Sequence, residues 1–107
     1  MADVPSGSDV FGAIAAPPRR ALLEMLARRE MGVSEIAGCF DMTMSAVSQH
    51  LAVLREAGLV RTRKDGRQRL YRLEPAPLRT VADWMQQYEP FWTDRLNDLG
   101  RYLEENP

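Results

Sequence analysis

Apolar positions recur along this chain first at helical spacing, then at strand spacing, then at helical spacing again, with short polar or proline-bearing breaks between the runs. Residues 1–8, with Pro5, Ser6, Gly7 and Ser8, carry no period and are expected to be flexible. Ser8 or Asp9 stands where a cap would, ahead of a short helix through Val10, Phe11 and Ile14. Pro17-Pro18 closes that helix and opens a second, Pro18 to Arg29. Here Ala21, Leu22, Met25 and Leu26 form the inward stripe, and Arg19, Arg20, Glu24, Arg28 and Arg29 the outward side. Val33, Ile36, Ala37 and Phe40 predict a short third helix, and Asp41 begins a tight turn. Thr43 as N-cap and Gly58 as left-handed C-terminal stop bracket a fourth, Met44 to Ala57.

The period then changes. Leu59 to Lys64 and Arg67 to Leu73 read as strands joined by Asp65-Gly66, the pair a type I′ turn requires. Gln68, Leu70 and Arg72 fall on one face of the second strand, with Arg67, Arg69, Tyr71 and Leu73 on the other. Pro75 and Pro77 end the ribbon, and Leu78 to Leu103 returns to helical spacing. Pro90 divides that stretch, predicting one helix to about Tyr88 and another from about Phe91. The order of parts predicts a mainly α domain with a two-stranded β-wing, a winged helix-turn-helix: 33–57 the two-helix unit, 59–73 the wing, 78–103 C-terminal helices. The whole chain of 107 residues is read as one domain.

On the fourth helix, Val47, Leu51 and Leu54 make the core stripe, flanked by Met44 and His50, while Ser45, Gln49, Ala52 and Glu56 lie opposite. Ser45 and Gln49 suit base edges, Gln49 matching adenine, and Ala46 and Ala52 permit close approach to a thymine methyl. Ser48 and Arg55, at the margin, suit phosphate. Net charge is only −1, but it is sorted by region. Arg61, Arg63, Lys64, Arg67, Arg69 and Arg72 crowd the ribbon against a lone Asp65, whereas acids dominate beyond Leu73. A segregated basic patch is the electrostatic footprint of phosphate binding; a solvated arginine-rich hairpin is the plainer alternative.

Of eight aromatic residues, Trp84, Tyr88, Phe91, Trp92 and Tyr102 fall in the last stretch. So small a domain has little room to bury them, and a second copy is the simplest cover; the competing expectation folds them over the second and third helices. A hydrophobic fraction of 45% and a charged fraction of 27% are too balanced for disorder. No apolar run approaches the roughly 20 residues that cross a bilayer, and MADVPSGSDV lacks the features of a secretory leader, so a cytoplasmic location is expected. Cys39 is expected to be a small buried hydrophobe and His50 a structural histidine near the DNA backbone. With one Cys, one His and no phosphate loop, no enzyme, cofactor or metal site is expected.

VSEIAGCFDMTMSAVSQHLAVLREAGLVRTRKDGRQRLYRL resembles the DNA-binding core of the ArsR/SmtB repressors, most closely in SAVSQHLAVLREAGLV and in the G-R-x-x-x-Y-R-L of the second wing strand. The resemblance extends more loosely from about Phe11 to Leu103 and implies a dimeric winged-helix transcription factor. It places Thr43, Ser45, Ser48, Gln49 and His50 toward operator DNA and makes Arg61 to Arg72 the wing. It also implies a homodimer through the first and last helices, with Val10, Phe11, Ile14, Val81, Trp84, Met85, Tyr88, Phe91, Trp92, Leu96 and Leu99 at the interface. The metal-sensing E-L-C-V-C-D-L motif has no cysteine counterpart in Glu30-Met31-Gly32-Val33-Ser34-Glu35-Ile36, and the last helices hold no histidine for the family's other metal site. The expectation is therefore a homodimeric repressor on an inverted repeat whose small-molecule or redox effector is unknown. A winged-helix protein-interaction module and a regulator switching through the Cys39 thiol are the alternatives.

Overall fold

The computed structural model describes residues 9–106, so the loose N-terminus and the Ser8 cap lie outside the described residues. Asp9 caps α1 (Val10–Ala13), its Oδ1 accepting from the Gly12 N–H at 2.8 Å. Pro17 opens α2 (Pro17–Leu26), where a missing N–H costs nothing. The helix stops three residues short of the expected Arg29. The chain after it turns into β1 (Met31–Gly32), which pairs antiparallel with the second wing strand, Met31 against Tyr71 and Gly32 against Leu70. The sheet therefore has three strands in the order β1-β3-β2, one more than the sequence pattern indicated. Two residues carry no legible period, and the pairing is imposed from outside the segment.

Helix α3 (Val33–Cys39) leads through a turn to α4 (Met44–Glu56). Gly58 follows in a left-handed conformation, φ +79°, as a C-terminal stop demands. Strands β2 (Val60–Asp65) and β3 (Gln68–Leu73) are closed by an Asp65↔Gln68 pair, so the loop is Gly66-Arg67 rather than Asp65-Gly66. Gly66 alone in that loop has positive φ, +66°, which is the type II′ pattern with glycine first, not type I′. Moving the loop by one residue changes each cross-strand partner by two, so every side chain keeps its expected face. Helix α5 (Leu78–Gln86) and α6 (Glu89–Glu105) complete the chain. Pro90 sits in the first turn of α6, where its ring is compatible with the helix, so the break falls at residues 87–88 and not after it.

The core comprises Val10, Ala13, Leu22, Leu23, Leu26, Met31, Ile36, Val47, Leu51, Leu54, Leu59 and Val60, with no buried polar residue among the described residues. Each large aliphatic chain taken fully out of water contributes roughly 1.5–3 kcal/mol. Val10 was expected at a partner interface, but only 8% of it is exposed, because the one-turn α1 points that side into the core. Cys39, expected to be buried, is exposed: Ile36 is the buried residue of α3, and Cys39 falls on its outer flank. Neither α5 nor α6 buries a single residue. The radius of gyration is 18.1 Å, against about 13 Å for a compact chain near this length.

Candidate nucleic-acid interface

Helix α4 is held at both ends and along one side. Thr43 Oγ1 accepts from the Ala46 N–H at 3.0 Å, so the hydroxyl expected to face DNA is used to start the helix. Val47, Leu51 and Leu54 anchor the inner stripe, leaving Ser45, Ser48, Gln49, Ala52, Arg55 and Glu56 exposed and Ala46 half-buried. Met44, expected beside the core stripe, is 52% exposed, because the first helical residue precedes the first inward turn. His50 is half-buried, with Nδ1 within 3.5 Å of Arg19 Nη1.

Cross-strand partners share a face, so the register sorts the wing cations. Thr62 and Tyr71 lie on one face, with Lys64 and Arg69 the next matching pair toward the tip. Arg69 Nη1 donates to Thr62 Oγ1 at 3.1 Å, which steadies the arginine. Tyr71 borders a hollow with Ser48, Leu51, Ala52, Arg55 and Glu56, so this is the face that abuts α4. Arg61, Arg63, Asp65, Gln68, Leu70 and Arg72 belong to the opposite face. At the outer edge of β2, Arg61 shares a second hollow with Arg55, Gly58, Val60 and Thr62. Arg67, in the loop, lies along an open groove with Glu35, Asp65 and Arg69.

Arg63 does not stand free. Its Nε donates to both Glu30 carboxylate oxygens at 3.1 and 3.0 Å, and its Nη2 to one of them at 2.9 Å. That hydrogen bonding holds the Glu30 carboxyl below the usual carboxylate range and raises Arg63 further. Arg29 does the same to Glu35. Of the basic side chains expected at DNA from Arg61 to Arg69, Lys64 and Arg69 share the face beside α4, whereas Arg63 is paired with Glu30 within the protein.

Sequence reasoning missed three residues here. Tyr71 marks the seam between helix and wing, and its alternation with Leu73 was the available signal. Glu30 and Arg19 gave none, since each pairs with a side chain distant in the chain, Arg63 and His50 respectively. Among the residues expected at a partner interface, Ile14 and Val81 are half-buried against the core, while Phe11, Trp84, Met85, Tyr88, Phe91, Trp92, Leu96 and Leu99 are exposed. Tyr102 and Leu103 extend that uncovered surface. The aromatic residues do not fold over α2 and α3; Trp84 instead stacks edge-on against Phe11 of α1 at 5.7 Å and against Tyr88 at 5.3 Å. Among the described residues no group of three or more His, Cys, Asp or Glu is placed to hold a metal ion, and no helix is long and apolar enough to cross a membrane.

A helix-turn-helix whose second helix bares a polar face beside a cationic ribbon defines a winged-helix DNA-binding regulator. Known proteins agree. Residues 16–62 match the family described as "Bacterial regulatory protein, arsR family". The HTH-type transcriptional regulator Rv2034 of Mycobacterium tuberculosis is 36% identical over 107 residues, spanning 97% of this chain and 94% of that protein. The transcriptional repressor SdpR of Bacillus subtilis is 30% identical over 81 residues, 76% of this chain and 90% of its own length. An ArsR-like transcriptional regulator from Rhodococcus sp. RHA1 superposes with a TM-score of 0.71 at 28% identity, covering 92% of this chain and 90% of that one. The chain belongs to the ArsR family of helix-turn-helix transcriptional regulators and is a DNA-binding protein, not an enzyme.

Proposed function

We propose that the protein acts in the cytoplasm as a homodimeric repressor that occupies an inverted-repeat operator. The observation that carries the reading is α4, fixed by Val47, Leu51 and Leu54 so that Ser45, Ser48 and Gln49 are bare beside the face bearing Lys64 and Arg69. Gln49 and Ser45 read base edges, Ala46 and Ala52 admit close approach, and Ser48, His50, Arg55, Arg61, Lys64, Arg67 and Arg69 meet phosphates. Thr43 acts by starting the helix, and Arg63 adds little because Glu30 already matches it.

The uncovered apolar length of α5 and α6 supports the second copy. A single chain would leave Leu96 68% exposed amid Trp92, Leu99 and Leu103, a contiguous surface of the kind that marks a protein partner. Two-fold symmetry would then present two α4 helices to successive major grooves, roughly 34–36 Å apart. Repression follows from covering promoter DNA.

Gel shifts with the DNA flanking its own gene, combined with sedimentation, test this reading. We expect a dimer at micromolar concentration and an affinity that falls by roughly 10³ to 10⁵ between 50 and 200 mM salt, as about 6–10 phosphate contacts imply. Single chains that leave the flanking DNA unshifted in dilute salt defeat it. A reporter that brightens when the gene is deleted supports repression, and one that dims assigns activation instead.

A further inference from the structure

We infer that Arg19 is a positioning residue for DNA reading, one that fixes His50 and the roll of α4 from behind; this rests on α4 being the reading helix. Arg19 belongs to the side of α2 that the sequence pattern assigns to solvent, yet it is half-buried and its donors are directed at two other elements. Its Nε donates to the Ala13 carbonyl at 2.6 Å and its Nη2 to the Gly12 carbonyl at 3.1 Å, at the end of α1. Its Nη1 stands 3.5 Å from Nδ1 of His50, the residue after Gln49. A guanidinium has donors only. For this pair to hydrogen-bond, the ring nitrogen facing the guanidinium must be the acceptor, so the contact ties the back of α4 to α2 in one orientation of the imidazole.

The neighbouring side chain supplies an internal control. Arg20 Nη1 donates to the Ile14 and Ala15 carbonyls at 2.8 and 3.2 Å, so it also caps the end of α1, but none of its bonds reaches α4. The two arginines share one structural task, and only Arg19 adds a link to the reading helix. Through α1 that link continues to α5, because Phe11 stacks on Trp84.

Competition gel shifts with the gene's own flanking DNA and with a scrambled duplex of equal length separate the roles, each variant first checked for folding by thermal melt. Arg19→Ala should lose roughly tenfold on the flanking DNA while scrambled binding stays within about twofold, since phosphate contacts carry non-specific affinity. Arg20→Ala should keep both. On the flanking DNA, His50→Ala should lose at least as much as Arg19→Ala, and the double variant should be no worse than His50→Ala alone, because the two residues act as a unit. Should Arg19→Ala fail to fold, Arg19→Lys keeps a charge and a donor for α1 without a fork that spans both helices, and should show the same selective loss. Equal losses in Arg19→Ala and Arg20→Ala reduce the residue to a cap, equal losses on both DNAs make it a phosphate contact, and additive losses deny the link; each overturns the inference. A parent protein that does not distinguish the two DNAs overturns the reading of α4 itself, which differs from a discriminating parent whose Arg19→Ala variant is unchanged.

Discussion

Residues 10–60 and residues 78–105 face the same physical demand and meet it differently. The first stretch hides Leu22, Ile36, Val47, Leu51, Leu54, Leu59 and Val60 almost completely against one another. The second, with a comparable stock of leucine and aromatic side chains, hides none of them. Helix α6 alone runs for 17 residues, about 26 Å, with its apolar stripe open to water. The helix and ribbon proposed to meet DNA are thus held within one chain, whereas the C-terminal helices leave their apolar stripe uncovered in it. Stability and assembly are consequently separable, and mutations can attack either.

The largest effect should come from the first region. Leu51→Ala leaves a void beneath α4 and should cost about 2–5 kcal/mol in unfolding free energy, readable by denaturant titration, a large share of the 5–15 kcal/mol typical of small proteins. Next is the second region. Leu96→Glu with Leu99→Glu should leave secondary structure intact yet yield single chains on sedimentation, with operator affinity down by roughly 10²-fold once the two reading heads are no longer joined. Unchanged sedimentation would place the assembly surface elsewhere. Gln49→Ala should cost about 1–3 kcal/mol on the preferred operator and relax preference at one base position, measured against a panel of substituted duplexes.

Smaller effects sharpen the division within the wing. Lys64→Ala with Arg69→Ala removes four phosphate contacts from a dimer and should flatten the slope of log affinity against log salt by about three to four, while Arg63→Ala should hardly change it, since Glu30 already occupies that guanidinium. A slope that falls as much for Arg63→Ala would return that residue to the DNA side. The smallest effect is on acid sensitivity. Glu30 and Glu35 have carboxyls lowered by arginine hydrogen bonds, so their contribution is complete above the ordinary carboxylate range and lost as pH falls through it toward their folded-state values. Both pairs are solvent-exposed, so the loss is slight and screened by salt. Thermal melts from pH 7 to 3 should fall a little less steeply in Glu30→Gln with Glu35→Gln than in the parent.

Much of the architecture was legible because its causes are local. Thr43, Gly58 and the stripe Val47, Leu51 and Leu54 delimit α4 with nothing else in view. The basic ribbon followed from alternation and a glycine turn, although the turn type came out differently because strand pairing extends through Asp65 and Gln68. What stayed hidden depends on partners far along the chain. Strand β1 exists because β3 offers an edge, Arg63 is withdrawn by an acid 33 positions away, and Arg19 turns inward to the end of α1 and to His50. Periodicity assigns a residue a side, but it does not say which side chains will find each other across the fold.

The short β1 also grades the stiffness of the wing. Around Leu70 and Tyr71 the sheet is three strands wide, but from Lys64 and Arg69 outward only a two-stranded hairpin remains, a unit barely stable by itself in water. Compliance is therefore concentrated at the arginine-bearing tip, while the base stays rigid beside α4. Such a limb can follow grooves of differing width without disturbing the helix proposed to read them.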